Sequence, residues 1–126
     1  VFGRRVRGDV MPAMKHQELF KGLIRLHILH HAAEEEFYGH WMIQELARHG
    51  YRMSPGTLYP MLHGMEKSGY LTSRKERLGS TFRRLYRATA VGREANKIAK
   101  LRVRELVGEI TELHGRTPKK RTRSKI

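Results

Sequence analysis

A mainly α chain carrying one small β-hairpin is expected here, on three grounds. Apolar residues recur at helical spacing over residues 19–29 and again over residues 95–113. Between them, Ser54-Pro55-Gly56-Thr57 brings helix-start chemistry, and Leu58, Leu62 and Met65 follow at helical spacing up to Gly69. Two stretches of extended character, residues 70–76 and 82–88, flank the glycine-containing turn Arg77-Leu78-Gly79-Ser80-Thr81. From Lys67 to Arg87, seven of twenty-one residues are basic, so the hairpin that follows the short helix is a basic one. Helix, turn and basic hairpin make the outline of a winged helix-turn-helix, with the last apolar helix left over for dimerisation.

A chain of 126 residues is one small domain, with room for a modest core but not for a catalytic cleft of its own. Its formal charge of +14 and pI near 10.8 point to a polyanionic partner, since charge governs association more than fold. The excess is uneven. Residues 116–126 hold six basic and no acidic residues, residues 1–15 hold four basic and one acidic, and the body sets sixteen basic against eleven acidic. The absence of cysteine excludes a disulfide frame and a thiolate zinc site. No apolar run approaches membrane-spanning length and the first residues lack the apolar centre of a signal peptide, so the chain reads as soluble and cytoplasmic.

Residues 1–16 mix Gly, Arg and Pro without periodicity and read as a flexible basic arm. Residues 17–89 form the expected DNA-binding domain. Its first helix carries Leu19, Phe20, Leu23, Ile24, Leu26, Ile28 and Leu29, a stripe wide enough for both the core and a partner subunit. Glu34-Glu35-Glu36 opposes the helix dipole and marks its end. Phe37-Tyr38-Gly39 leads into a second helix from His40 to about His49, with Gly50 as its stop. Tyr51-Arg52-Met53 is an extended connector and a candidate strand.

Two starts compete for the third helix. A cap at Ser54 with Pro55 in the first turn leaves Pro60 inside the helix, with no donor for the Gly56 carbonyl. With Thr57 as cap, Pro60 falls in the first turn, where no donor is needed, and this is the expected start. On the second hairpin strand Phe82, Arg84, Tyr86 and Ala88 share one face, and Arg83, Leu85 and Arg87 the other. Thr89 caps the last helix, which runs to about Leu113 within a dimerisation segment of residues 90–115. Its seam exceeds what a three-helix core can cover, which predicts a homodimer. Residues 116–126 read as a disordered basic tail.

Four pieces, spread over residues 18–113, resemble the PadR family of bacterial transcriptional regulators. They are Leu19-Phe20-Lys21-Gly22-Leu23 through Ile28-Leu29; Tyr38-Gly39; Ser54-Pro55-Gly56-Thr57-Leu58-Tyr59-Pro60 with Leu62, Met65, Glu66 and Gly69; and Arg83-Arg84-Leu85-Tyr86-Arg87 with Thr89 and Gly92. The third is the most specific. A single helix after the hairpin is similar to the short branch of that family. The resemblance implies a dimeric repressor with a recognition helix in the major groove, a wing along the backbone or minor groove, and release of DNA on binding a small molecule. Some short members hold flat aromatic ligands against a tryptophan on the last helix. Here the sole tryptophan is Trp41, on the second helix, so that chemistry does not carry over.

Ser54, Thr57, Tyr59, His63 and Lys67 are the candidate contacts of the recognition helix, since an ordinary polar face becomes suggestive once a basic hairpin follows it. Arg74, Lys75, Arg77, Arg83 and Arg84, with Arg87, are the candidate phosphate-gripping wing. Leu19, Leu23, Val103, Leu106, Val107, Ile110 and Leu113 are the candidate dimer contacts. His27, His30, His31 and Glu34 fall at helical offsets of three and four, a spacing that can also build a metal seam; packed histidines meeting carbonyls are the commoner outcome. No cofactor is expected. No nucleophile elbow, phosphate-binding glycine loop or HExxH is present, so the reading is not an enzyme. Besides a sequence-specific, ligand-responsive repressor on an inverted-repeat operator, two alternatives stand: a non-specific architectural nucleic-acid binder and a metal-responsive repressor.

Overall fold

The apolar stripe at the start of the chain folds as α1 (Gln17–Glu34) and buries Ile24, Ile28, Leu29 and Ala32. The structure is a computed structural model that describes residues 16–112. After α1 come β1 (Phe37–Tyr38), α2 (Gly39–Arg48), α3 (Pro55–Lys67), β2 (Leu71–Leu78), β3 (Thr81–Ala88) and α4 (Ala90–Thr111). Met42 and Leu46 of α2 and Leu58, Leu62 and Met65 of α3 close on α1, with Phe37, Leu71, Tyr86 and Ala88 of the sheet completing the core. Each of the leucine, methionine and phenylalanine side chains among them contributes about 1.5–3 kcal/mol by leaving water. The strands order as β1-β3-β2, all antiparallel.

Three local expectations are corrected. The third strand is Phe37–Tyr38, paired through Phe37↔Tyr86 and Tyr38↔Leu85, whereas Tyr51-Arg52-Met53 is not a strand. Two residues give no periodic signal, and β1 exists because the stacked rings of Phe37 and Tyr86, 5.8 Å apart, hold it on β3. Second, α3 starts at Pro55 with Ser54 in the cap position, and Pro60 lies inside it. The Ser54 carbonyl accepts from the Thr57 and Leu58 N–H groups, so the first turn forms ahead of Thr57. Gly56 and Pro60 are both exposed, so the carbonyl that Pro60 leaves without a donor is open to water. Third, the hairpin turn is tighter than the expected five residues: Leu78 pairs with Thr81 and only Gly79 and Ser80 lie between them.

The connection from α3 into the sheet fixes where the hairpin goes. Gly69, at φ 89°, sits in the left-handed region as the residue past the helix end, and the Tyr70 N–H reaches back to the Met65 carbonyl. Thr89 caps α4 as expected, its hydroxyl accepting from the Gly92 N–H at 2.9 Å and donating to the Gly69 carbonyl at 2.6 Å. A Cβ on Gly92 would stand 2.1 Å from the Tyr70 carbonyl oxygen, so only glycine allows this approach of α4 to the start of the hairpin.

The chain divides into two units, Val1–Asn96 and Lys97–Ile126. In the second, α4 continues to Thr111 with Val103, Leu106, Val107 and Ile110 exposed at i, i+3, i+4 and i+7, Ile110 at 67%. In the first, Leu19 and Leu23 of α1 are also exposed. The expected arm before Gln17 (His16 excepted), the tail, the end of the dimerisation segment and Leu113 lie outside the described residues. No described helix is long and apolar enough to cross a membrane.

Candidate nucleic-acid interface

Burial of Leu58, Leu62 and Met65 turns the opposite side of α3 outward, and on it lie His63 and Lys67, both exposed. Beside them, at i, i+4 and i+8, runs a strip of small residues, Gly56, Pro60 and Gly64, all exposed. A Cβ built on Gly64 meets nothing within 4 Å. This strip was not among the expected contacts, because glycine and proline in a helix signal backbone shape before they signal an interface. Ser54 is exposed at the cap and Thr57 is half-buried. Tyr59 divides its surface: 39% is exposed, and its ring covers Gly39, where a Cβ would clash with the phenol. That contact ties the Tyr38-Gly39 pair to the third helix.

The hairpin sorts its cations by face. Cross-strand register puts Ser73, Lys75 and Arg77 of β2 opposite Tyr86, Arg84 and Phe82 of β3, on the face that carries the core. This face joins α3: Ser73 donates to Glu66 of α3 at 2.5 Å, and Arg84 donates to Ser73 at 3.1 Å. Farther out, Lys75 and Arg77 stand 5.8 and 5.5 Å from the centre of the exposed Phe82 ring. Their ammonium and guanidinium groups meet no carboxylate among the described residues; Arg77 Nε donates to the Gly79 carbonyl.

On the other face the cations are engaged. Arg74 makes a two-pronged pair with Glu36, both contacts 2.9 Å, and Arg87 lies 3.9 Å from the same carboxylate. The hydrogen bond from Arg74 holds the Glu36 carboxyl below the usual range, and Arg74 is itself raised. Arg83 stacks 3.9 Å over Tyr38, whose hydroxyl donates to Glu76 and whose pKa is raised by that bond. Of the expected wing residues, the structure therefore groups Lys75, Arg77 and Arg84 with α3 and separates Arg74 and Arg83 from them.

The four expected metal candidates also part. Ligand atoms of His30, His31 and Glu34 lie within 4.8 Å of one another. His27 instead faces His49 and Tyr51, at ring distances of 4.8 and 5.5 Å, and burial, aided by the neighbouring His49, lowers its pKa. His31 and His49 both reach Glu45, at 3.3 and 3.2 Å, beside Arg48.

Three core helices, a three-stranded sheet with a projecting hairpin and a following long helix define a winged helix-turn-helix protein. The description "Transcriptional regulator PadR-like family" matches residues 28–98. Over 94 residues the chain is 49% identical to the transcriptional regulator Rv3488 of Mycobacterium tuberculosis, covering 75% of this chain and 88% of the relative. A PadR family transcriptional regulator from Eggerthella lenta superposes with a TM-score of 0.65 at 29% identity, covering 79% of this chain and 90% of that one. A PadR-like transcription factor from Bacteroides fragilis shares the fold, with a TM-score of 0.68 at 21% identity over 79% and 97% of the two chains. The chain belongs to the PadR-like family of transcriptional regulators, a family of regulators and not of enzymes.

Proposed function

We propose that this regulator is a ligand-responsive repressor that binds an inverted-repeat operator as a homodimer. The observation that carries the reading is the composite face: the outward side of α3 and the Lys75, Arg77 and Arg84 side of the hairpin, linked through Glu66, Ser73 and Arg84. In this reading α3 enters the major groove with His63 and Lys67, its Gly56, Pro60 and Gly64 strip allows a close approach, and the hairpin cations grip phosphate. Ser54, Thr57 and the exposed part of Tyr59 add contacts at the start of the helix. The exposed ridge of Val103, Leu106, Val107 and Ile110 supports pairing of two subunits, with Leu19 and Leu23 contributing. Two α3 helices then read half-sites about one helical turn apart, roughly 34 Å.

Selection of bound duplexes from a random pool tests this. An inverted repeat bound at least about a thousandfold better than random duplex is expected. Equal binding to all duplexes would replace it with the architectural alternative. The clustering of His30, His31 and Glu34 favours one second reading, control by a metal ion. Zinc or cadmium titration should then change operator affinity and the melting temperature together, and an unchanged pair of values would remove it.

A further inference from the structure

The outer face of the hairpin borders a cleft of ≈ 440 Å³, a volume ordinary for small-molecule sites. The cleft lies where α1 ends, β1 forms and α2 begins. Phe37, Trp41 and Leu85 supply its apolar lining, and Glu34, Glu35 and Glu36 its carboxylates. Glu36 is taken up by Arg74, and Glu34 and Glu35 leave the lining with a negative excess, so an anion is disfavoured there. Trp41 is 42% exposed, although α2 has a buried face to which a large apolar ring could have been assigned. It meets His31 edge-on at 5.3 Å and Phe37 at 6.3 Å. Among the described residues Glu34 pairs with His30, at 3.7 Å, and with no lysine or arginine, and Glu35 has no side-chain partner. An exposed indole beside unneutralised carboxylates matches one chemistry: a cation with an apolar surface, attracted both by the ring face and by the negative charge. A bare metal ion would use His30, His31 and Glu34 but would leave the indole and Glu35 without a role.

We propose that this cleft binds a small organic ammonium ion, its head against Trp41 and neutralised by Glu34 and Glu35, and that its arrival loosens the hold of Glu36 on Arg74. Glu36 belongs to both the cleft and the outer-face pair, so a second cation beside it competes with the guanidinium. Freed Arg74 is then available to phosphate, and the ammonium ion strengthens DNA binding; by linkage, DNA strengthens ammonium binding equally. Only this last step rests on the DNA-binding reading.

Trp41 is the single tryptophan, so the emission of the full chain reports on the cleft alone. Choline is titrated against its uncharged carbon isostere, dimethylbutanol, at constant ionic strength, with EDTA and at about pH 8, above the usual imidazole range. A saturable change with choline and none with the isostere is expected, and the doubly substituted Glu34→Gln, Glu35→Gln chain should bind choline about tenfold or more weakly. Equal responses to the two compounds, no saturation, or unchanged binding by the double variant overturns the site. The Arg74 Nε–H resonance, followed without DNA, should move on choline binding; a fixed resonance overturns the link to Glu36. Saturating choline should raise duplex affinity at least about fivefold in the wild type and not in Arg74→Ala. Failure to bind any duplex, with the choline and Arg74 responses intact, would count against the DNA-binding reading and for the cleft.

Discussion

The two faces of the β2-β3 hairpin carry three cations each and put them to different uses. Lys75, Arg77 and Arg84 lie on the side shared with α3 and have no carboxylate partner among the described residues, whereas Arg74, Arg83 and Arg87 are held by Glu36 or stacked on Tyr38. Arginines that look alike in a basic stretch are therefore not equivalent. A guanidinium already paired must leave its carboxylate before it can neutralise a phosphate, and the exchange returns little; an unpaired one releases counterions at no such cost.

The largest effect follows from removing the free cations. The triple substitution Lys75→Ala, Arg77→Ala, Arg84→Ala should weaken duplex binding on the order of a hundredfold at moderate salt and lower the salt-dependence slope by roughly 2 to 3. The matched Arg74→Ala, Arg83→Ala chain should stay within about threefold of the wild type when no effector is present, as read by fluorescence anisotropy on both. Similar losses in the two would break the distinction.

A second test asks whether α3 joins the same face. Gly64→Ala should stabilise the fold by about 0.5–1 kcal/mol, since alanine is the better helix former and its methyl enters open space. The same change should weaken operator binding about tenfold if the helix backbone approaches the groove at that strip. Denaturant unfolding and operator titration separate the two, and a stabilised chain with undiminished affinity would take Gly64 out of the interface.

The smallest effect concerns the paired face. Glu36 should titrate below the ordinary carboxylate range of about 4.3, and Arg74→Ala should move it up toward that value, followed by its side-chain carbon resonance. A depressed carboxyl contributes stability above its unfolded pKa and loses it as pH falls through the folded one. Because the pair is solvent-screened, the shift should show in the resonance while the melting temperature scarcely responds. A Glu36 that titrates normally would mean that Arg74 is free in solution.

Much of this was legible in the residues. The helical spacing of Ile24, Ile28, Leu58, Leu62 and Met65 and the capping by Thr89 all have local causes, and local causes leave local signals. The short strand Phe37–Tyr38 depends on a partner about fifty positions away, and the start of α3 on whether the Gly56 carbonyl reaches water. The sorting of the arginines was hidden for the same reason: Glu36 and Arg74 are 38 residues apart, and only the fold brings them together. The alternation of faces along β3 was visible; which face would find carboxylates was not.

In the proposed function, α3 and the Lys75, Arg77 and Arg84 face act as one DNA-binding surface. Its most direct test is an NMR titration of the full chain with the selected operator duplex, following the arginine Nε–H resonances. Arg77 and Arg84 are expected to shift or broaden while Arg74 and Arg83 keep their positions in the absence of an effector. Movement of Arg74 and Arg83 with Arg77 and Arg84 unchanged would contradict it.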